Sequence, residues 1–377
     1  MKTEKIHDKT PDIIVVYPWG NPLLESSGVE KRSSSLIRAF EKSGMRVTII
    51  GPIPIQSGEY TINSQMFFSY KGHGGLVLDW NPSYYVKLVQ LLRKYQGRSV
   101  NLVLTGPLGC LGALFVKIVF NGRKKILIVY DAHNVEKERV ESGAFSTQSS
   151  LLRIFTKIIL IFSEWIAVRT SDIVFSISHR DKRVFKRTYG IPPERILVIR
   201  PIVPTNRGVK YKRKCGILFH GSFKYFPNKE AVDFILEVSE NLKWARFYLA
   251  GSGMPKKKLK NVEFMGFVEN LDEFLSMGDL ALVPLKRGAG VKLKILDYLL
   301  RGIPVITTKI GAQGLEFTHM KNAIVVNLDE IEEIVRFLSE NPKYKRKIGV
   351  FGRKHAEVRF SGNIEKKRLS VYFRGDD

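Results

Sequence analysis

Short apolar runs alternate along the chain with stretches whose apolar positions recur every three or four residues. The runs predict strands buried on both faces, and the periodic stretches predict helices laid against them. The first run, DIIVVY at residues 12–17, leads into a polar, turn-rich loop at residues 21–28. A helix is expected over residues 29–42 with Leu36, Ile37 and Phe40 inward, ended by Gly44 before a strand at 46–50. Further strands are expected at residues 100–104, 125–130, 172–176 and 196–199 with helices between them. That alternation makes a doubly wound parallel sheet the economical reading. No G-x-G-x-x-G follows the first strand, so a dinucleotide fold of the dehydrogenase kind is poorly supported.

Residues 200–214, RPIVPTNRGVKYKRK, combine two prolines with a basic run and no apolar period, which places a domain boundary near 208. A second series begins at Cys215, with a strand ending in Phe219-His220-Gly221-Ser222 and a helix to about Glu240 for which Asn228 is the expected N-cap. Strands at 247–250, 262–265 and 279–283 follow. Then comes VPLKRGAGVKLKILDYLLRGIPVITTKIGAQGLE at residues 283–316. It reads as strand, glycine loop (Gly288, Ala289, Gly290), helix over 291–300, stop at Gly302, and strand at 305–307. The first helical turn carries unpaired N–H groups and the positive end of the macrodipole, and Lys292 and Lys294 add charge beside it. An anion, most simply a phosphate, is expected there. Asp297 lies more than one turn further on, roughly 140° round the helix, and suits the hydroxyls of a ligand whose phosphates sit at the loop. The plainer alternative is an ordinary α/β crossover with solvated lysines.

This stretch resembles the donor-binding signature of glycosyltransferase family 4, the glycosyl transferases group 1, which have the GT-B fold. The resemblance spans nearly the whole chain and is strongest over residues 215–315. It implies an α/β protein of two Rossmann-like, doubly wound parallel-sheet domains facing a cleft. Residues 1–208 would form the acceptor-side domain, 209–355 the nucleotide-sugar domain, and 356–377 a C-terminal helix returning toward the first domain. In the family a Glu in the Asp297 position holds the donor ribose, and the backbone of Gly288, Gly290, Val291 and Lys292 meets the diphosphate. HGSFKYFPN resembles the G-S-x-x-x-x-P-N opening of the donor domain and brings in Gly221 and Ser222. By the same resemblance Phe267 and Val268 hold the base, and Gly28 lets its loop approach the donor.

After the strand ILIVY comes Asp131-Ala132-His133-Asn134-Val135-Glu136, at the carboxyl end where ligands of open α/β sheets bind. This segment resembles the family's D-x-H, in which the His reaches the donor sugar or the acceptor. Asp131, Asn134 and Arg32 are placed on the acceptor side, with an ordinary surface arginine the alternative for Arg32. The resemblance implies a retaining, hexosyltransferase-like enzyme with His133 and Lys292 as its catalytic groups. The charge developing on the leaving diphosphate would be met by Lys292, the Gly290 and Val291 amides and the helix dipole. No metal and no further cofactor are expected beside a UDP- or GDP-linked donor, and no acidic cluster has metal-like spacing. Three departures stand out. The family's E-x7-E has Ala289 in its first position, although the G-x-G-x-K form of Gly288, Gly290 and Lys292 is similar to a branch that also lacks this Glu. His220 is unusual. Gly362 replaces an aromatic residue in the terminal segment, implying weaker docking of the last helix.

Sixty-one Lys and Arg against 36 Asp and Glu give a net charge of +25, which calls for acidic partners: nucleotide phosphates, an anionic membrane surface or nucleic acid. Nucleic acid is the least favoured, because aromatics are not interleaved with the basic clusters. A degenerate, non-catalytic protein that binds a sugar nucleotide or a protein partner is the rival motivated by Ala289. Cys110 and Cys215 both sit in apolar runs, which reads as reduced core packing. The start, MKTEKIHDKT, lacks the apolar core of a signal peptide, and no window reaches the roughly 18 apolar residues of a spanning helix. In residues 151–168 the charges Arg153, Lys157 and Glu164 share a stripe within roughly 40°. Either this helix is buried against the sheet, or it presents a surface that dips into lipid, helped by basic clusters at 180–187, 210–214 and 256–260. The expectation is a cytoplasmic protein, peripheral on the inner face of the membrane, with a lipid-linked or cell-envelope glycan acceptor.

Overall fold

The computed structural model describes residues 13–24, 28–52, 59–62, 65–70, 75–95, 99–144, 151–203 and 215–374. The expected boundary at 208 and the basic cluster at 210–214 lie outside them. The chain forms two compact units, one of Met1–Lys137, Ser149–Ile202 and Gly362–Asp377, the other of Glu138–Gln148 and Val203–Ser361.

In the first unit the chain runs β1 (Ile13–Val16), α1 (Gly28–Lys42), β2 (Val47–Pro52), β3 (Glu59–Ile62), β4 (Gln65–Tyr70), α2 (Pro82–Lys94), β5 (Ser99–Thr105), α3 (Cys110–Val119) and β6 (Lys125–Ala132). It continues through α4 (Glu136–Glu141), which spans the division, to α5 (Leu151–Thr170), β7 (Ile173–Ser176), α6 (His179–Tyr189) and β8 (Ile196–Val198). The sheet order is β3-β4-β2-β1-β5-β6-β7-β8, parallel throughout except for β3 against β4. Side chains alternate across β1, so Ile14 and Val16 enter one core with Leu88, Leu102 and Ile128. Ile13 and Val15 enter a second core with Leu36, Ile37 and Phe40. Helices on both faces therefore account for an unbroken apolar strand.

The second unit contains β9 (Ile217–His220), α7 (Phe226–Asn241), β10 (Phe247–Ala250), β11 (Lys256–Leu259), β12 (Val262–Gly266), α8 (Leu271–Ser276), β13 (Leu280–Val283), α9 (Leu293–Leu299), β14 (Val305–Thr307), β15 (Ile324–Val325), α10 (Ile331–Glu340) and α11 (Pro342–Phe360). Its sheet order is β11-β12-β10-β9-β13-β14-β15, with only β11 antiparallel. In both sheets the winding reverses at the first strand: β1 lies between β2 and β5, and β9 between β10 and β13. Ligands of open α/β sheets bind at the carboxyl ends of strands beside such a reversal.

The structure departs from the sequence reading in several places. The lysine cluster at 256–260, for which no strand was expected, is largely the edge strand β11; exposed lysines on an edge keep further strands from pairing. Cys110 is buried, but Cys215 is exposed, because the strand starts only at Ile217. After α11 the chain returns to the first unit as α12 (Asn363–Arg374). Leu369 is fully buried there, Phe373 meets Phe40 and Phe175 edge-on at 5.6 and 6.3 Å, and Arg368 donates to the Val198 carbonyl at 2.8 Å. The expected weak docking is thus not seen. Gly362 has φ +82 and its missing Cβ would collide with Ile202, so the turn into α12 needs glycine more than an aromatic anchor.

Helix α5 is inverted relative to the buried reading. Glu164, from the charged stripe, is fully buried, and its carboxylate accepts from the Glu136 and Lys137 amides at 2.7 and 3.0 Å and from the Tyr130 and Tyr189 hydroxyls. It caps α4. Burial, with the nearby Glu136 charge, pushes its carboxyl up to about 7 against those hydrogen bonds. Leu151, Ile154, Phe155, Ile158, Phe162 and Trp165 are each at least 46% exposed and lie within an arc of about 100° on the opposite face.

Candidate active site

The second unit gathers polar groups where β9 and β13 end. Beyond β9 the chain is pinned by hydrogen bonds from the Gly221 amide to the Ala250 carbonyl at 2.9 Å and from Phe223 to Ser252 at 2.8 Å. The Gly251 amide donates to Gly266 at 2.7 Å, so the ends of β9, β10 and β12 form one rim. A Cβ on Gly221 would collide with the Lys294 ammonium and the Asn228 amide, and one on Gly251 with the Gly221 carbonyl. At Gly251 the obstacle is backbone, so only glycine fits there.

Beyond β13, Gly288 and Gly290 have φ of +125 and +70 and fold the loop tightly. The Lys292 ammonium donates back to the Ala289 and Gly290 carbonyls at 2.9 and 2.7 Å, bracing that shape. Helix α9 starts only at Leu293, two residues later than expected, so Val291 and Lys292 belong to the loop. The Lys294 ammonium donates to the Asn228 carboxamide oxygen at 2.6 Å and lies 4.4 Å over the Phe219 ring. Desolvation lowers Lys294 to about 7, Lys292 pushes in the same direction, and Asp297 opposes both.

Asp297 sits on α9 opposite the end of β9. Its Oδ2 is 3.4 Å from His220 Nε2. The Tyr298 hydroxyl is buried and lies 2.7 Å from the His220 amide, which donates to it, and 2.8 Å from His220 Nδ1. Arg301, paired with Asp272, donates to the Asp297 backbone carbonyl at 2.9 Å and stiffens the last turn.

The first unit holds a separate cluster at the end of β6. Arg32 and Asp131 are both buried and form an ion pair at 2.7 Å, while the other Arg32 nitrogen donates to the Arg200 carbonyl at 2.9 Å. His133 Nε2 is 3.2 Å from Asp131 Oδ2 and 3.5 Å from Ser33 Oγ. Desolvation alone would raise the Asp131 carboxyl, but Arg32 and His133 hold it below its ordinary value. A buried ion pair thereby fixes the imidazole at the mouth of the strand.

Residues 26–207 match the profile of Glycosyltransferase Family 4, and residues 214–340 match that of Glycosyl transferases group 1. The chain belongs to this glycosyltransferase family. A search of curated sequences found no match. Among solved structures, the fold is similar to sucrose-phosphate synthase from Thermosynechococcus elongatus at TM-score 0.76 and 12% identity, over 97% of this chain and 99% of that one. It is also similar to HepE from Anabaena in complex with UDP-glucose, at TM-score 0.70 and 14% identity over 97% and 99%. WaaG, a glycosyltransferase involved in lipopolysaccharide biosynthesis, is similar at TM-score 0.64 and 14% identity over 97% and 100%. The protein is a glycosyltransferase of the GT-B type.

Against that family frame, the donor residues named from the sequence, Gly28 excepted, lie in the second unit. Gly221 and Ser222 close β9, Gly288, Gly290, Val291 and Lys292 form the loop after β13, and Asp297 faces His220. Phe267 and Val268 follow Gly266 on the same rim; Phe267 is exposed and Val268 half-buried. Ala289, at the first glutamate position, is buried. In the first unit, Arg32, Asp131 and His133 are joined, and Asn134 is half-buried beside them. Arg32 is no surface arginine. Gly28 opens α1 and is exposed, with nothing within 4 Å of a Cβ built on it. Sequence reasoning missed Asn228: the N-cap of α7 is Tyr225, and the Asn228 side chain instead bridges the Ser222 carbonyl, at 2.9 Å, to Lys294. It also missed Tyr298, whose apolar periodicity conceals a hydroxyl that holds His220.

Proposed function

We propose that this enzyme transfers a sugar from a UDP-linked donor to an acceptor with retention of anomeric configuration and without a metal ion. The observation that carries the reading is the braced Gly288–Lys292 loop with Lys292, Lys294 and Asp297 around it, at the winding reversal of the second sheet. Peptide amides and two lysines suit a diphosphate, and a carboxylate beyond them suits a ribose. UDP is chosen over GDP because solved structures of HepE contain UDP and UDP-glucose. In this reading the acceptor oxygen bonds to the anomeric carbon as the bond to the diphosphate oxygen breaks, and the acceptor proton leaves on a diphosphate oxygen. Lys292 and the Gly290 and Val291 amides stabilise the charge that gathers there. His133, oriented by Asp131 and Arg32, is assigned to the reacting sugar or the acceptor, with Asn134 beside it.

Turnover of a panel of UDP- and GDP-sugars in chelator tests this directly. Transfer from a UDP-sugar is expected, and His133→Ala should leave UDP affinity within about twofold while slowing transfer at least tenfold, a typical general acid–base contribution or less. Tight UDP binding with no turnover on any donor would make the protein a binding module. Full activity of the variant would make the histidine structural.

A membrane-borne acceptor is supported by the apolar face of α5. Its exposed positions with described side chains are Leu151, Ile154, Phe155, Ile158, Phe162, Trp165 and Arg169, of which only the last is charged. Arg169 lies 5.7 Å over the Trp165 ring. Helix α3, packed beside α5, adds exposed Phe115, Ile118 and Val119, followed by exposed Arg123 and Lys125. An apolar strip edged by cations on a chain of net charge +25 complements an anionic bilayer. No helix among the described residues is long and apolar enough to cross a membrane. Co-sedimentation should therefore retain the protein on phosphatidylglycerol-containing vesicles and much less on neutral ones. Replacing Phe155, Phe162 and Trp165 by serine should weaken retention at least tenfold. Equal behaviour of variant and parent would dismiss the strip as a lipid contact, and concentration-dependent dimerisation abolished by the same changes would make it a self-association face.

A further inference from the structure

We infer that His220, oriented by Tyr298, is a positioning residue that holds the Asp297 carboxylate in the orientation that receives the donor ribose. The inference rests on the assignment of Asp297 to the ribose. An aspartate is one methylene shorter than a glutamate, which leaves room between the helix and the facing strand for a second side chain. His220 is that side chain. It ends β9, and its Nε2 lies 3.4 Å from Asp297 Oδ2.

The hydrogen bonds decide which ring nitrogen carries the proton. The Tyr298 oxygen accepts the His220 backbone N–H at 2.7 Å, and its only other hydrogen-bond neighbour among the described residues is His220 Nδ1 at 2.8 Å. A fully buried hydroxyl left without an acceptor would be costly, so its proton goes to Nδ1. The neutral imidazole then carries its own proton on Nε2, directed at the carboxylate. The ring cannot easily turn away. Tyr298 packs edge-on against it at 4.9 Å and Phe274 at 6.2 Å. Lys294 is a further charge that interacts with Asp297, and its ammonium is held by the Asn228 side chain.

The test uses two amides that mimic one ring nitrogen each. His220→Gln can place its amide nitrogen near the Nε2 position, whereas His220→Asn reaches only as far as Nδ1. Calorimetry would compare UDP with 2′,3′-dideoxy-UDP, which keeps the base and diphosphate but lacks the hydroxyls. The wild-type protein is expected to prefer UDP at least tenfold, the Gln variant to keep that preference within about threefold, and the Asn variant to lose most of it. Tyr298→Phe, which removes the tautomer-setting hydroxyl, should shift in the same direction as Asn. Melting temperatures of the Gln and Asn variants within about 3 °C of each other would separate this effect from general damage. An Asn variant with the full wild-type preference, or Gln and Asn variants that fall alike, overturns the positioning role. A wild-type protein with no preference for UDP instead overturns the ribose assignment, and the inference with it.

Discussion

Asp297→Ala is expected to weaken UDP binding about a hundredfold while leaving the fold intact. The carboxylate is only 13% exposed and faces the site, so an alanine leaves no core cavity, and alanine is the best helix former for α9. Each charge-assisted hydrogen bond to a ribose hydroxyl contributes about 1.5–3 kcal/mol, and two such bonds lost give roughly 3 kcal/mol or more, near two decades in Kd. A second effect acts in the same direction. Asp297 raises the pKa of Lys294, so its removal leaves a larger fraction of that lysine neutral above pH 7 and weakens attraction for the diphosphate. Asp297→Asn separates the two, since it keeps a hydrogen-bonding group but not the charge. Calorimetry at pH 7.5 with UDP checks the prediction, with far-ultraviolet circular dichroism and the melting temperature as fold controls. Unchanged affinity in the alanine variant would remove Asp297 from the site.

The parts of this protein that could be read from the sequence are those in which a local pattern settles the outcome. IIVV in β1 is apolar on both faces, and a parallel sheet covered by helices is what such a strand requires. The 283–307 stretch was equally legible, because Gly288 and Gly290 announce a left-handed loop and Gly302 a helix end, and both occur. What escaped depends on partners far along the chain. Arg32 was left between an acceptor-side role and an ordinary surface arginine because nothing near it in sequence reveals Asp131, 99 positions away, with which it is buried. The wheel of α5 located a charged stripe correctly but not the side it faces. Glu164 points inward only because Tyr130, Tyr189 and the first amides of α4 meet it there. Asn228 was assigned to a cap by residue type, yet Pro227 near the start of α7 moves the cap to Tyr225, and the amide serves Lys294 instead. Periodicity finds elements; the inward face and the role of a polar side chain are set by what the rest of the fold brings to it.

Lys292→Ala is expected to reduce transfer about a hundredfold at pH 7 and Lys294→Ala about tenfold, with the two lysines distinguished by pH. Lys292 both braces the loop, through the Ala289 and Gly290 carbonyls, and supplies charge to the leaving diphosphate. Loss of one preorganised donor at a developing anion typically costs about 2.7–4 kcal/mol, which matches the larger effect. Lys294 is different because desolvation lowers it to about 7 in the empty site. Below pH 7 it is already protonated and adds no pH dependence to UDP binding. Above pH 7 binding must be accompanied by proton uptake, because a bound diphosphate favours the ammonium form. UDP affinity should then fall as pH rises from 7 to 9, by up to about tenfold per unit while the lysine in the complex remains charged. Lys294→Ala should remove this dependence. Lys292→Ala should retain it but move its onset to higher pH, because the repulsion that Lys292 exerts on Lys294 is gone. Calorimetric titration with UDP across pH 6–9 reads both effects, and initial transfer rates at pH 7 give the ranking. A greater loss of turnover in Lys294→Ala would exchange the roles of the two lysines, and a pH dependence that survives Lys294→Ala would assign the proton uptake to another group.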